Sequence, residues 1–238
     1  PDGDDIENGS YSDTLEELSR WIEQNAPGTE LWVSEYEVPM GDCEIEGVDD
    51  HDNEQYQLVY AQRVARTYLR ALSTPAVNYI TKFQLRDEGE GVYYNSGLVT
   101  QKGKWDKKLA WYYLSCMTNT LGEASFDSVE SSGGQYIYNF TGNNGDIIKC
   151  AYTTGTPGKT SVSAGGRKYA YLTVPEASIA EGRTEMLSIS DDKVTLELDG
   201  TPVYLTFTDH PFVIVNGKSS QLRPAEICLT QDKSTEVC

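Results

Sequence analysis

The chain has 238 residues, a hydrophobic content of 38% and a formal net charge of −18, from 19 basic and 37 acidic residues. This length suits one large domain or two ordinary ones, and the hydrophobic content suffices for a core. The negative charge argues against binding to nucleic acid or to an anionic membrane, because both need basic protein surface. An acidic surface suits a secreted protein that handles neutral ligands such as carbohydrate, although it also serves solubility alone.

The cysteine pattern and the apolar runs exclude further classes. The five cysteines are Cys43, Cys116, Cys150, Cys228 and Cys238. They show no zinc-site spacing, so we expect no metal and no cofactor, and the odd number leaves at least one outside any intrachain disulfide. No apolar run approaches the ~20 residues of a membrane span. The chain starts at Pro1 without a visible signal peptide, which indicates a processed or truncated N-terminus.

The first half of the chain alternates predicted helices and strands. Ser12 and Asp13 can cap the first helix, with Glu16 in capping-box spacing. The elements that follow are a strand at 31–35, an acidic loop at 37–53, a helix at about 54–73, a strand at 76–85 and a helix that carries Trp105, Leu109 and Cys116. This order is typical of a parallel sheet with crossover helices.

The second half changes character at residue 122. Short alternating runs are separated there by Gly, Asn, Asp and Pro, a pattern that predicts an antiparallel β-sandwich. The predicted strands cover residues 135–140, 147–152, 169–174, 193–198, 203–207 and 212–215. The sequence therefore predicts two parts, residues 1–121 and residues 122–238.

Both predicted strands of the first half lead into an acidic residue. The first reads Leu-Trp-Val-Ser-Glu-Tyr over residues 31–36, and the second reads Phe-Gln-Leu-Arg-Asp over residues 83–87. In barrels of alternating strands and helices, catalytic residues lie at the carboxyl ends of the strands. Two parallel strands alone would leave open sheet edges. We therefore expect either self-association or membership of a longer parallel structure.

These segments resemble, in consistent order, the C-terminal part of retaining (β/α)8-barrel glycoside hydrolases of clan A. Residues 31–36 resemble the strand-seven motif, and residues 83–89 resemble the strand-eight motif. Residues 97–99 with 107–112 resemble the stretch before the last barrel helix, and residues 199–205 resemble a strand of the attached β-sandwich. The resemblance implies an α/β plus all-β fold: the C-terminal portion of a (β/α)8 barrel, residues 1–121, followed by an antiparallel β-sandwich, residues 122–238.

The resemblance also implies a role for Glu35. It matches the nucleophile of a retaining mechanism, which attacks the anomeric carbon and forms a glycosyl-enzyme intermediate. The acid/base of these enzymes lies in an Asn-Glu pair at the end of strand four. The one Asn-Glu pair of this chain, Asn53-Glu54, follows strand seven instead. We therefore expect the chain to be inactive alone and to need a missing N-terminal barrel segment, as a separate chain or in a longer precursor.

Five further residues are candidates for contact with carbohydrate. They are Tyr36, His51, Tyr79, Phe83 and Asp87. Tyr79 and Phe83 are candidates for the aromatic floor that the family places near the end of strand eight. Asp87 also suits a structural role, paired with Arg86 or capping a loop, and His51 also suits an exposed loop.

Two other functions stay open. The open parallel edges favour an extracellular structural or assembly protein derived from a glycosidase, since such edges template strand addition. A carbohydrate-binding module centred on the sandwich is the other. Tyr136, Tyr138 and Phe140 alternate along one strand and would form either its stacking platform or the sandwich core. Sequons at Asn8 and Asn139 agree with an extracellular location.

Overall fold

The computed structural model describes residues 5–38, 53–88, 95–101, 103–215, 218–221, 227–229 and 235–237. The helices are α1 (Asp5–Asn8), α2 (Ser10–Asn25), α3 (Glu54–Leu72) and α4 (Leu109–Leu121). The strands that alternate with them are β1 (Leu31–Tyr36) and β2 (Val77–Lys82). We call these helices and strands the α/β unit. None of the described helices is long and apolar enough to cross a membrane.

The strands of the second half follow α4 without another described helix. They are β3 (Ser125–Ser132), β4 (Gln135–Thr141), β5 (Ile147–Thr153), β6 (Gly158–Ser163), β7 (Tyr169–Glu176), β8 (Ile179–Leu187), β9 (Lys193–Leu198), β10 (Val203–Thr208), β11 (Phe212–Val215), β12 (Lys218–Gln221), β13 (Ile227–Leu229) and β14 (Thr235–Val237). We call β3–β12 the β-domain.

Strands β1 and β2 form a parallel pair with a covered face and an open face. Because side chains alternate along a strand, Leu31 and Val33 point to one face and pack with residues of α2 and α3 around Leu15. The other face carries Trp32 and Tyr79, whose ring centroids lie 4.5 Å apart. These side chains are 61% and 53% exposed. Among the described strands, neither β1 nor β2 pairs with a third one.

The first long helix starts earlier than its sequence predicts. Gly9 occupies the N-cap position of α2, and no side chain caps the helix. The predicted capping residues contact α3 instead: Arg70 donates from Nε to the Ser12 hydroxyl at 2.7 Å and pairs with the Glu16 carboxylate. The capping-box prediction was wrong, because Ser12 and Glu16 bind the buried Arg70 side chain and do not cap the helix.

The β-domain has two layers. A six-stranded antiparallel sheet in the order β3-β4-β5-β10-β7-β8 is faced by the pair β6-β9. Val162, Leu196, Leu205 and Phe207 belong to one apolar cluster that joins both layers. The predicted strands 193–198 and 212–215 match β9 and β11 in full. Strands β3, β6 and β8 escaped prediction because their residues are largely polar and exposed.

The opposite face of the six-stranded sheet packs against the α/β unit. Tyr138, Cys150 and Tyr204 of the sheet form one cluster with Leu69 of α3 and Met117 of α4. The predicted boundary at residues 121 and 122 follows the end of α4, and it stays a prediction. Tyr136, Tyr138 and Phe140 are at most 9% exposed in this cluster, so they are buried against the helices and form neither a stacking platform nor the core between the two layers of the β-domain.

Trp105 and Cys116, both assigned to one helix by the sequence, lie in different environments. Trp105 lies outside the helix, with a positive φ of 59°, and its side chain is 50% exposed. Cys116 on α4 is buried, and it is a free thiol, as is Cys150 on β5. Burial raises the pKa of both thiols, so neither has the character of a reactive cysteine.

A buried charge network joins α1, α3 and β5. The Arg66 guanidinium donates to both oxygens of the Glu7 carboxylate, at 2.7 and 2.6 Å. The Tyr152 hydroxyl donates to the same carboxylate at 2.9 Å. The side chains of Arg66 and Glu7 are only 9% and 3% exposed. This network fixes the short first helix between α3 and the β-domain.

Candidate active site

The carboxyl ends of β1 and β2 lie side by side. Tyr36 pairs with Lys82 in the parallel register, and the Phe83 amide donates to the Tyr36 carbonyl at 2.8 Å. Glu35 precedes Tyr36 and is exposed, whereas Phe83 is half-buried. A cis peptide bond joins Phe83 to Gln84. Glu35 and Phe83 therefore lie together at the carboxyl ends of the strand pair β1 and β2.

A buried ion pair lies directly beyond these strand ends. The Lys82 ammonium is 3.0 Å from Glu37 Oε2, and the two side chains are 4% and 12% exposed. Lys82 also donates to the carbonyls of Phe83 and Ser96. It thereby connects the end of β1, the end of β2 and the segment that starts at residue 95. Within the described residues, the other Glu37 oxygen, Oε1, has no hydrogen-bond partner.

A second buried pair fixes the segment after β2. The Lys108 ammonium lies 2.9 Å from Asp87 Oδ1, and these side chains are 7% and 3% exposed. The Gly97 amide donates to the same oxygen at 2.8 Å. A Cβ atom on residue 97 would lie 2.3 Å from the Arg86 carbonyl carbon, so only glycine fits this approach. The Tyr60 ring lies 5.9 Å from Lys82 Nζ and 5.6 Å from Lys108 Nζ.

Burial dominates the electrostatics of the Glu37–Lys82 pair. Removal from water raises the pKa of Glu37 to about 7, the Lys82 charge opposes this shift, and the neighbouring Glu35 adds to it. The same burial lowers the pKa of Lys82, against the attraction of Glu37. Glu37 therefore changes protonation close to neutral pH, two residues from Glu35.

We expect the Glu37 carboxyl to make stability depend on pH. Its pKa rises from 4.5 in the unfolded chain to about 7 in the folded one, so the folded state holds its proton more tightly. The stabilisation is complete below pH 4.5 and is lost as the pH rises through 7. Urea unfolding of the wild type and Glu37→Gln at several pH values between 5 and 8 measures it.

The difference in unfolding free energy between these two proteins is the informative quantity, because contributions from residues remote from Glu37 cancel in it. Relative to Glu37→Gln, the wild type should lose stability as the pH rises from 5 to 8. A difference that stays constant across this range would contradict the shift of the Glu37 pKa.

The structure corrects two of the proposed carbohydrate contacts. Tyr36 is 3% exposed and packs against Tyr11 and Tyr68 in the core, so its ring faces the helices and not the open surface. Asp87 is 2% exposed and is held by Lys108 and the Gly97 amide. Its structural role was foreseen, but its partner is Lys108 and not Arg86.

The remaining predicted residues fall into three places. Tyr79 opposes Trp32 on the open face, four residues before Phe83, which puts it roughly 13 Å below the strand ends. It is thus too deep to share a subsite with Glu35 and Phe83. His51 lies outside the described residues. In the described part of the chain, no group of three or more His, Cys, Asp or Glu side chains could hold a metal ion.

Sequence reasoning missed four residues that build this region. Glu37, Lys82 and Lys108 form its ion pairs, and Tyr60 of α3 lies between the two lysines. One signal was available for Lys82, since it lies within the predicted strand 76–85, and a lysine that is buried there needs a partner. The Asp87–Lys108 pair spans 21 residues and had no signal of this kind.

Comparison with known proteins gives structural neighbours but no sequence family. No protein-family model and no curated protein matches the sequence. A solved family 39 glycoside hydrolase from Bacteroides cellulosilyticus WH2 superimposes with a TM-score of 0.62 at 18% identity, over 82% of this chain and 38% of that one. A GH30 endoxylanase from Clostridium papyrosolvens C71 superimposes with a TM-score of 0.57 at 16% identity, over 84% of this chain and 47% of that one.

A GH51 arabinofuranosidase from Xanthomonas axonopodis pv. citri superimposes with a TM-score of 0.53 at 9% identity, over 83% of this chain and 45% of that one. The structural neighbours are clan A glycoside hydrolases. At these identities the likeness shows the fold alone, a partial barrel plus a sheet domain. The chain spans about two fifths of the length of the glycoside hydrolases it matches.

Proposed function

We propose that this chain is the C-terminal part of a secreted retaining glycoside hydrolase, with Glu35 as the nucleophile. The observation that carries the proposal is the exposed Glu35 carboxylate at the carboxyl end of a parallel strand, in a fold shared with glycoside hydrolases. In that role Glu35 attacks the anomeric carbon, and a second carboxylic acid ~5–5.5 Å away protonates the leaving oxygen. The second acid comes from preceding barrel strands, in the same polypeptide or another.

The open face of β1 and β2 supports this assignment. Trp32 and Tyr79 are more than half exposed there, although large aromatic side chains are normally covered in a finished core. In a closed barrel this face points inward and is packed by the side chains of the other strands. The barrel interior is thus where the aromatic pair would be buried.

Two further parts of the proposal concern substrate and location. A neutral oligosaccharide or polysaccharide suits the net charge of −18, since an anionic substrate would be repelled. One structural neighbour is described as a conserved exported protein from Bacteroides fragilis, at a TM-score of 0.55 and 11% identity. This similarity supports an extracellular location for the present protein.

Covalent labelling tests the role of Glu35. The native protein, isolated with any preceding segment or partner chain, is treated with 2-fluoro glycosides that carry a good leaving group and accumulate the glycosyl-enzyme intermediate. We expect one sugar adduct per molecule, located on Glu35 by peptide mass spectrometry. Glu35→Gln should abolish the adduct, because the amide cannot displace the leaving group.

Glu30→Gln is the matched control, since Glu30 is an exposed acid just before the same strand, where it accepts from the Trp32 indole. This variant should keep the adduct. An adduct on another residue, or its persistence in Glu35→Gln, would refute the assignment. An unlabelled protein that forms stable oligomers through the open strand face would favour the extracellular assembly function instead.

A further inference from the structure

The β-domain contains a cavity of about 680 Å³ that is remote in sequence from the strand ends. It opens where α4 ends at Leu121 and no longer covers the six-stranded sheet. Under the helix, this sheet face is lined by large side chains such as Tyr138 and Tyr204. Beyond the helix, the floor of the cavity includes Thr173 and Thr206. A cavity of this volume lies within the range of small-ligand sites.

The cavity walls carry carboxylates and amides that are already oriented by one another. The Asn143 amide donates to Glu123 Oε2 at 2.8 Å, linking the β4–β5 turn to the segment after α4. Within the same turn, the Asn144 amide donates to Asp146 Oδ2 at 2.8 Å. On the helix side, Asn119 donates to the Ala180 carbonyl at 3.3 Å and fixes the end of α4 against β8.

An aromatic ring forms one side of the same cavity. Phe212 lines it and stacks on Tyr171, with the ring centroids 4.4 Å apart and the planes 13° from parallel. The Phe212 amide also donates to the Tyr171 hydroxyl at 2.8 Å, which holds the ring in place. Tyr171 stacks on one face of the Phe212 ring, and an aromatic ring that borders a cavity gives it an apolar surface.

The lining also has a distinct charge. Three acidic residues contribute to it, namely Glu123, Asp146 and Glu181, and none of the lining residues that the structure describes is lysine or arginine. A ligand that carries carboxylate or phosphate would be repelled here. A ligand with many neutral hydroxyl groups suits the lining, because each hydroxyl can donate to a carboxylate and accept from an amide.

We propose that this cavity binds a neutral sugar unit of an oligosaccharide, held by hydroxyl contacts to the Asn143–Glu123 wall and by ring contact with Phe212. Polar groups on one side and a fixed aromatic ring on the other match the two kinds of surface that a pyranose presents. The site does not depend on Glu35, so binding here is a separate activity of the β-domain, whatever the reaction at the strand ends.

Calorimetric titration of the purified chain tests the site. The probes are the neutral oligosaccharides xylohexaose and cellohexaose, with a galacturonate hexamer as the anionic probe of similar length. We expect at least one neutral probe to bind with a Kd of about 1 mM or tighter, and the anionic probe to bind at least about tenfold more weakly. The double variant Asn143→Ala/Glu123→Gln should weaken neutral-sugar binding by about tenfold.

A matched control lies on the same sheet. Asn139 of β4 donates to Glu130 of β3 at 3.0 Å, an exposed amide–carboxylate pair outside the cavity. Asn139→Ala/Glu130→Gln should bind like the wild type. Circular dichroism confirms that each variant is folded, and Phe212→Ala provides an independent variant if the double one unfolds.

The proposal fails if neither neutral probe gives saturable heat, or if the anionic probe binds as tightly. It also fails if a folded Asn143→Ala/Glu123→Gln or Phe212→Ala variant binds unchanged. None of these outcomes bears on the proposed glycosidase activity, which the labelling of Glu35 tests separately.

Discussion

Replacing Arg66 by methionine is expected to lower the free energy of unfolding by about 3–5 kcal/mol. Methionine fills much of the same volume but leaves the Glu7 carboxylate, which is 3% exposed, without its guanidinium partner. The Tyr152 hydroxyl alone cannot compensate a buried negative charge. Urea denaturation at neutral pH, followed by circular dichroism, measures the loss.

A matched pair on the surface provides the control. Arg183 contacts both oxygens of Glu176 at 2.5 and 2.6 Å, nearly the same geometry as the Arg66–Glu7 pair, but both residues are exposed. Arg183→Met should therefore leave the unfolding midpoint almost unchanged, because exposed ion pairs contribute little. Equal losses in both variants would show that burial is not what makes the Arg66 network important.

Lys108→Met should cost about 3–5 kcal/mol of unfolding free energy for the same physical reason. The Asp87 carboxylate would stay buried with the Gly97 amide as a donor but without a counter-charge. The segment from residue 95 to 99 should also loosen, since Lys108 binds the Asn95 carbonyl. Hydrogen exchange of the Gly97 and Val99 amides, together with urea denaturation, measures both effects.

The second half of this test removes the uncompensated charge. In Asp87→Asn/Lys108→Met, the neutral amide oxygen still accepts from Gly97, so the double variant should be more stable than Lys108→Met alone. Lys159→Met, which breaks an exposed pair with Glu197 at 3.8 Å, should have little effect. A double variant less stable than the single one would contradict the charge-burial argument.

The fold could be predicted further than the site. Helix α3 was expected at about 54–73 and observed at Glu54–Leu72, because a strong apolar period and the Asn53 cap mark it locally. The exposed end of β1 at Glu35 was likewise evident from an apolar run that stops at an acid. Local patterns of this kind record which residues face the core.

The buried pairs could not be predicted in the same way. Glu37 meets Lys82 across 45 residues, and Glu7 meets Arg66 across 59. No periodicity connects such positions, because tertiary packing alone decides which charges meet. The same limit explains why Tyr36 seemed a substrate contact: its position beside Glu35 gave no indication that the end of β1 turns this ring into the helix layer.

The distribution of aromatic residues has a practical consequence for spectroscopy. All four tryptophans precede residue 122, and Trp21, Trp32 and Trp105 are at least half exposed, whereas the β-domain core holds buried tyrosines such as Tyr138 and Tyr204. Tryptophan emission therefore reports on the α/β unit and is largely blind to the β-domain. Far-ultraviolet dichroism, to which the strands of the β-domain contribute, recorded beside emission, would show whether the two parts of the chain melt together.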